Sequence, residues 1–259
     1  MATERQDIGI LNNNIHQYTE RPRLEVLRIY DRENPEIYWK TVFIETVYEN
    51  IKDGGDYKNL IKLYFRFAGE KQNSKLCFRA NHRIKKNSEN AIIEETISLT
   101  GGELGIWNND YRGNRLGRWL FNEVVVWAKQ WPDVDINSIT LGPTDASEDN
   151  IDRRNKLYKG AGIGFGPQNN HELRTGRSQV MKASELIVLF SWKKENGGNI
   201  FVQSIDDYIK ELLNGNEALK RKIENQEWEI NSLKNKLFIF ENNPIKTAIK
   251  KLFNINPYR

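Results

Sequence analysis

The spacing of apolar residues changes once, near residue 114, and that change constrains the fold more than any other feature. Before it, β-rich runs follow one another between turn signals. "LEVLRIY" (24–30) alternates as a half-buried strand does. "EIYWKTVFIETVYENI" (36–51) is rich in β-branched and aromatic residues and reads as one long strand, with a helix as the alternative. "DGGD" (53–56) marks a turn, and "NLIKLYFRF" (59–67) with "KLCFRANHRI" (75–84) reads as a hairpin. "AIIEETISL" (91–99) and "ELGIW" (103–107) follow, parted by Gly101 and Gly102. From Asn114 to Gln130, Leu116, Leu120, Phe121, Val124, Val125 and Trp127 fall at helical spacing, until Trp131-Pro132 ends the run. "INSITLGP" (136–143) then reads as a strand, "IDRRNKLYKGAG" (151–162) as a helix closed by glycines, and "RSQVMKASEL" (177–186) as a strand. Antiparallel-looking strands followed by strand–helix–strand–helix–strand predict an α/β or α+β domain with a mixed, mostly antiparallel sheet.

A second period occupies the tail. With Ile205, Leu212, Leu219, Gln226, Leu233 and Phe240 at d, residues Ile209, Asn216, Ile223, Ile230 and Leu237 fall at a. The narrow apolar stripe between charged flanks predicts a coiled coil and a homo-oligomer through 205–241. A helix folded back on its own domain, or a break at "NGN" (214–216), are the alternatives. Beyond Pro244, "IKTAIKKLF" is basic and amphipathic, suited to capping the oligomer or touching an acidic or membrane surface. The expected layout is a flexible arm over 1–23, a domain over 24–190, a linker over 191–204 and a helical tail over 205–259.

Composition narrows the chemistry. A net charge of +4 on 259 residues permits an anionic ligand without arguing for nucleic acid. Cys77 is the only cysteine, so no intrachain disulfide forms, and its strand-like flanks suit a buried thiol. His16, His82 and His171 lack metal-ligand spacing. No signal-peptide pattern opens the chain, and no run approaches the roughly 18 apolar residues of a membrane span, so a cytoplasmic protein is expected.

The chemistry-bearing stretch is "YRGNRLGR" (111–118), at the step from strand to helix. The first amides of a helix have no carbonyl partners and favour an anion. Gly113 and Gly117 open the backbone, while Arg112, Arg115 and Arg118 add charge. An ordinary tight turn is the simpler account of the same residues.

In context, "YRGNRLGRWLFNEVVVWA" resembles the signature of the GNAT N-acetyltransferases, Arg/Gln-x-x-Gly-x-Gly/Ala at the start of the long helix. Arg112 and Gly117 match, and Arg115 replaces the middle glycine. Asn155, Tyr158, Gly162 and Ile163 resemble the family's Asn-x-x-Tyr-x-x-x-Gly-Phe/Ile on the next helix, and "GRSQVMKASEL" its last strand. The resemblance is sharp over 103–165 and extends over 24–186. The family's usual pair of helices after the first strand has no counterpart here.

The resemblance implies an acetyl-CoA-dependent N-acetyltransferase. The diphosphate of coenzyme A would lie on the loop Arg112, Gly113, Asn114, Arg115, Leu116, Gly117 and Arg118. Its pantetheine arm would lie along the strand with Ile106 and Trp107, splayed from 136–142. Tyr158 would be the acid that protonates the leaving sulfur, Asn155 a further cofactor contact and Glu103 the candidate base, with Glu94 or Glu95 as weaker choices. The acceptor would be an amine on a protein, a peptide, an aminoacyl-tRNA or a small molecule. The basic run "RANHRIKKN" (79–87) reads as a solvated hairpin tip, with a macromolecular contact as the alternative. The alternative is a non-catalytic CoA-binding or oligomeric scaffold that grips a macromolecular partner.

Overall fold

The computed structural model describes residues 22–34, 36–70, 74–100, 114–142, 148–165 and 174–252. Over these residues the chain is α+β, with a mostly antiparallel sheet and a long C-terminal helix. It divides into two compact units at residue 205.

The first unit begins with β1 (Arg23–Tyr30), β2 (Tyr38–Asp53), β3 (Asp56–Phe67), β4 (Lys75–Lys86) and β5 (Ile92–Ser98), each antiparallel to the next. The ambiguous run 36–51 is therefore strand. Its β-branched Val42, Ile44 and Thr46 alternate onto one face and are buried there. Asp53 pairs with Asp56 across a two-residue turn, where Gly54 takes φ +58°. Glycine reaches that left-handed conformation without the Cβ clash of other residues, which fits the tight hairpin.

Helix α1 (Leu116–Ala128) crosses the inward face of this sheet. Trp119, Leu120, Phe121, Val124 and Val125 are buried among Leu27, Ile44, Leu63, Phe78 and Ile97. Each such side chain contributes about 1.5–3 kcal/mol by leaving water, so this face holds most of the apolar stabilisation.

The expected strand over 136–143 is broken in two. β6 (Asp135–Ile136) runs parallel to β5, and Asn137 still donates its amide to the Ile97 carbonyl at 2.7 Å. The chain then leaves β5, and β7 (Thr140–Leu141) pairs instead with β8 (Gly176–Arg177) in a separate two-stranded sheet. The stretch 177–186 is also not one strand. Arg177 closes β8, Ser178 turns inward to bond Ile139, and β9 (Met181–Lys182) pairs with β6 before a 3-10 turn at Ala183–Glu185. Helix α2 (Glu148–Gly160) ends where Gly162 turns at φ +84°.

Residues 191–204, expected as a linker, carry a 3-10 turn (Lys194–Asn196) and strand β10 (Ile200–Ser204). β10 pairs antiparallel with β1, giving the order β10-β1-β2-β3-β4-β5-β6-β9. Ile200 is buried and Val202 packs against the core, so apolar burial holds this segment in the domain.

The second unit is helical. Helix α3 (Ile205–Glu241) runs unbroken through "NGN". Helix α4 (Pro244–Leu252) follows, with the side-chain oxygen of Asn243 accepting from the Ile245 amide at 2.9 Å. That is an N-cap followed by proline at the first helical position, where its missing N–H costs nothing. Among the described residues, no helix is long and apolar enough to cross a membrane.

Candidate functional site

Arg115 immediately precedes α1 with φ +60° and ψ 0°, a left-handed conformation rare outside glycine. This is the position where the GNAT-like signature has arginine in place of glycine. The backbone takes the shape glycine favours, and the guanidinium compensates. Arg115 donates to the carbonyls of Ser191 at 3.1 Å and Gly197 at 3.2 Å. Arg118 donates to the Ser191 hydroxyl at 3.2 Å. Burial, then the nearness of Arg32 and Arg118, lowers the pKa of Arg115, which remains charged. The side chain of Arg115 makes no cap, and the first turn of α1 holds no acidic residue. The leading amides thus have no carboxylate in their own turn, a condition that favours an anion, while the guanidinium groups of Arg115 and Arg118 bond the 191–197 segment.

Asn199 ties the same corner from below. Its Nδ2 donates to the Tyr30 carbonyl at 3.0 Å and to that of Asn114 at 3.4 Å. Its Oδ1 has no partner among the described residues, nor do the indole nitrogens of Trp119 and Trp192, whose rings meet edge to face at 6.2 Å. Buried polar atoms without partners are uncommon in native proteins, and these three border the start of α1, while others lie on the strands. Leu116 is buried and serves the core, while Gly117 is half-buried.

Tyr158 projects from α2 into the core. Its ring packs edge-on against Phe121 at 5.6 Å and Phe165 at 5.7 Å. Phe121 lies about one turn beyond Gly117 on α1, so the two signature stretches meet through that contact. Asn155 accepts from Arg154 at 3.3 Å, and Arg154 also donates to the Gly142 carbonyl at 3.2 Å. Glu103, Ile106, Trp107, Arg112 and Gly113 lie outside the described residues. Glu94 and Glu95 fall on opposite faces of β5, and only Glu95 turns inward.

Two polar clusters carry no signal of local spacing. His82 is wholly buried on β4, with Nε2 bonded to Glu95 at 2.8 Å, Nδ1 to Asn59 at 3.1 Å, and its ring against Trp131 at 4.1 Å. Burial lowers its pKa, opposed by Glu95. The basic run 79–87 follows β4 as far as Lys86, with His82 facing the core and Arg79, Arg83 and Lys85 alternating onto the opposite face. Beneath α1, Arg23 bridges Glu25 at 2.9 Å and also pairs with Glu123. Burial raises the pKa of Glu25 to about 7 against the pull of Arg23, with Glu123 adding to the rise. The register of β3, β4 and β5 brings Asn59, His82 and Glu95 to one face, and residues on three strands leave no sign of it in the sequence. Burial places Cys77 beyond ordinary thiol chemistry by raising its pKa. The described residues hold no cluster of His, Cys, Asp and Glu suited to a metal.

No family model, no curated protein and no solved structure matches the chain. The likeness to GNAT enzymes thus rests on the residues of the two signature stretches.

Proposed function

We propose that the first unit is an N-acetyltransferase domain that takes acetyl-CoA and acylates an amine. The observation that carries this reading is the start of α1: a left-handed turn, leading amides with no acidic residue in their own turn, and two arginines, Arg115 and Arg118, within that start. These features fit a diphosphate, which the amides of Leu116, Gly117 and Arg118 would hold with Arg118 beside them. A second support is topological: β6 runs parallel to β5, and the chain then leaves it for β8. An opening beside the end of such a parallel pair would suit an extended acyl arm.

When bound, acetyl-CoA supplies a thioester carbonyl open to attack by an amine. The chain's own part is orientation and proton placement. Tyr158, fixed between two phenyl rings, would hold a proton for the leaving sulfur. Asn155, one turn earlier on α2, would position the cofactor. Glu103 stands as the candidate base.

The test is calorimetry with acetyl-CoA on the full chain and on Gly117→Glu. A glutamate in the first helical turn favours the helix dipole, so folding should hold while an incoming diphosphate is repelled. The expected result is binding by the native protein and at least a tenfold loss in the variant. Absence of binding at millimolar acetyl-CoA sinks the reading.

A non-catalytic CoA-binding module is the second reading. It is favoured by the use of Arg115 and Arg118 to hold the 191–197 segment. It predicts binding without acetyl transfer to amines, peptides or aminoacyl-tRNA, and no rate for Tyr158→Phe to change.

A further inference from the structure

Helix α3 presents its whole heptad seam to solvent: Ile209, Leu212, Leu219, Ile223, Ile230 and Leu237 are each about half exposed in the single chain. We propose that a second copy of this chain covers the seam, in a parallel, in-register, two-stranded coiled coil. This inference is independent of acyl transfer.

Three features select that occupant and direction. The first is the shape of the seam. Three of the five a positions are isoleucine (Ile209, Ile223 and Ile230, beside Asn216 and Leu237), and three of the six d positions are leucine (Leu212, Leu219 and Leu233, beside Ile205, Gln226 and Phe240). β-branched residues at a with leucine at d favour two parallel strands over three or four. The second is the flanking charge. In a parallel pair, each g residue faces the e residue five positions later on the partner helix. Here that sets Lys222 against Glu227, Glu229 against Lys234, and Lys236 against Glu241, opposite in sign every time. The third is the polar seam. In register, Asn216 meets its own copy and Gln226 meets its own copy, and side-chain amides can bond to each other.

The antiparallel arrangement of full overlap lacks this matching. It sets Asn216 against Leu233 and Gln226 against Ile223, leaving the amides facing apolar side chains. It also brings Glu241 to Asp206, like charges at the end of the seam. Its g–g pair, Lys222 with Glu229, and its e–e pair, Lys220 with Glu227, are attractive, and that difference in pairing separates the two directions experimentally.

The experiment is light scattering and dilution-dependent dissociation of the full chain and three variants, with circular dichroism confirming helix content. The native protein should have twice the 30.3 kDa chain mass. Lys222→Glu should weaken association about tenfold, since each dimer loses two attractive pairs and gains two repulsive ones. Adding Glu227→Lys to it should restore the native dissociation constant, whereas adding Glu229→Lys should not. A mass of one chain, or of three or more, overturns the proposal, as does rescue by Glu229→Lys in place of Glu227→Lys.

Discussion

Glu25 gives the sharpest quantitative test of the first unit. Its carboxyl lies under α1 beside Arg23, with Glu123 nearby, and burial raises its pKa from 4.5 to about 7. A raised carboxyl pKa means the folded state holds the proton more tightly than the unfolded chain. Stability is therefore greatest at and below pH 4.5 for this group, falls as pH rises from 4.5 to 7, and is constant above. At about 1.4 kcal/mol per pH unit, the span amounts to about 3 kcal/mol. Glu25→Gln keeps the volume and abolishes the titration, while Arg23 keeps Glu123 as a partner. Urea unfolding of the native protein and the variant, followed by the fluorescence of buried tryptophans from pH 4.5 to 8, isolates the effect as a difference. The variant should gain up to about 3 kcal/mol relative to the native protein across that range. A difference that stays flat, or one that grows toward low pH, refutes the reasoning.

His82 should act in the opposite sense. Its folded pKa lies below the ordinary 6.5, so its contribution is lost as pH falls below 6.5, and His82→Leu should flatten that part of the pH–stability curve. The same variant leaves Asn59 and Glu95 without their buried partner, and a loss of about 1–3 kcal/mol at pH 7 should register in urea unfolding. Gly162→Ala should cost about 1–3 kcal/mol in the same assay, because φ is +84° and the new Cβ would stand 3.2 Å from the Glu185 carbonyl oxygen. Gly215→Ala, inside α3 with nothing within 4 Å, should raise the melting temperature of the tail through about 1 kcal/mol of helix propensity.

The periodic elements were legible because their signal is local. The alternation in 24–30 and the three-and-four spacing in 116–128 follow directly from which face meets the core. What the sequence hid depends on distant partners. Val202 and Ile200 read as linker residues until β1 supplies the ladder they complete. The stretch 136–143 has strand composition throughout, yet Asn137 and Ser178 divert its hydrogen bonds to different neighbours. At the candidate site the arginines were legible as charge. Their engagement with Ser191 and Gly197, more than seventy positions along the chain, has no local pattern to announce it. Arg115 in a left-handed conformation was equally hidden, since local propensity argues against it.

The pairing of β10 with β1 bears on how the protein is made. Tyr30 and Asn199, which lock the two strands together, are 169 residues apart, so β1 leaves the ribosome long before its outer neighbour exists. Until then its amides and carbonyls form an open border along which other nascent chains can add strands. Synthesis halted before residue 200 should yield a product that aggregates, and chaperone demand should concentrate on that interval of translation.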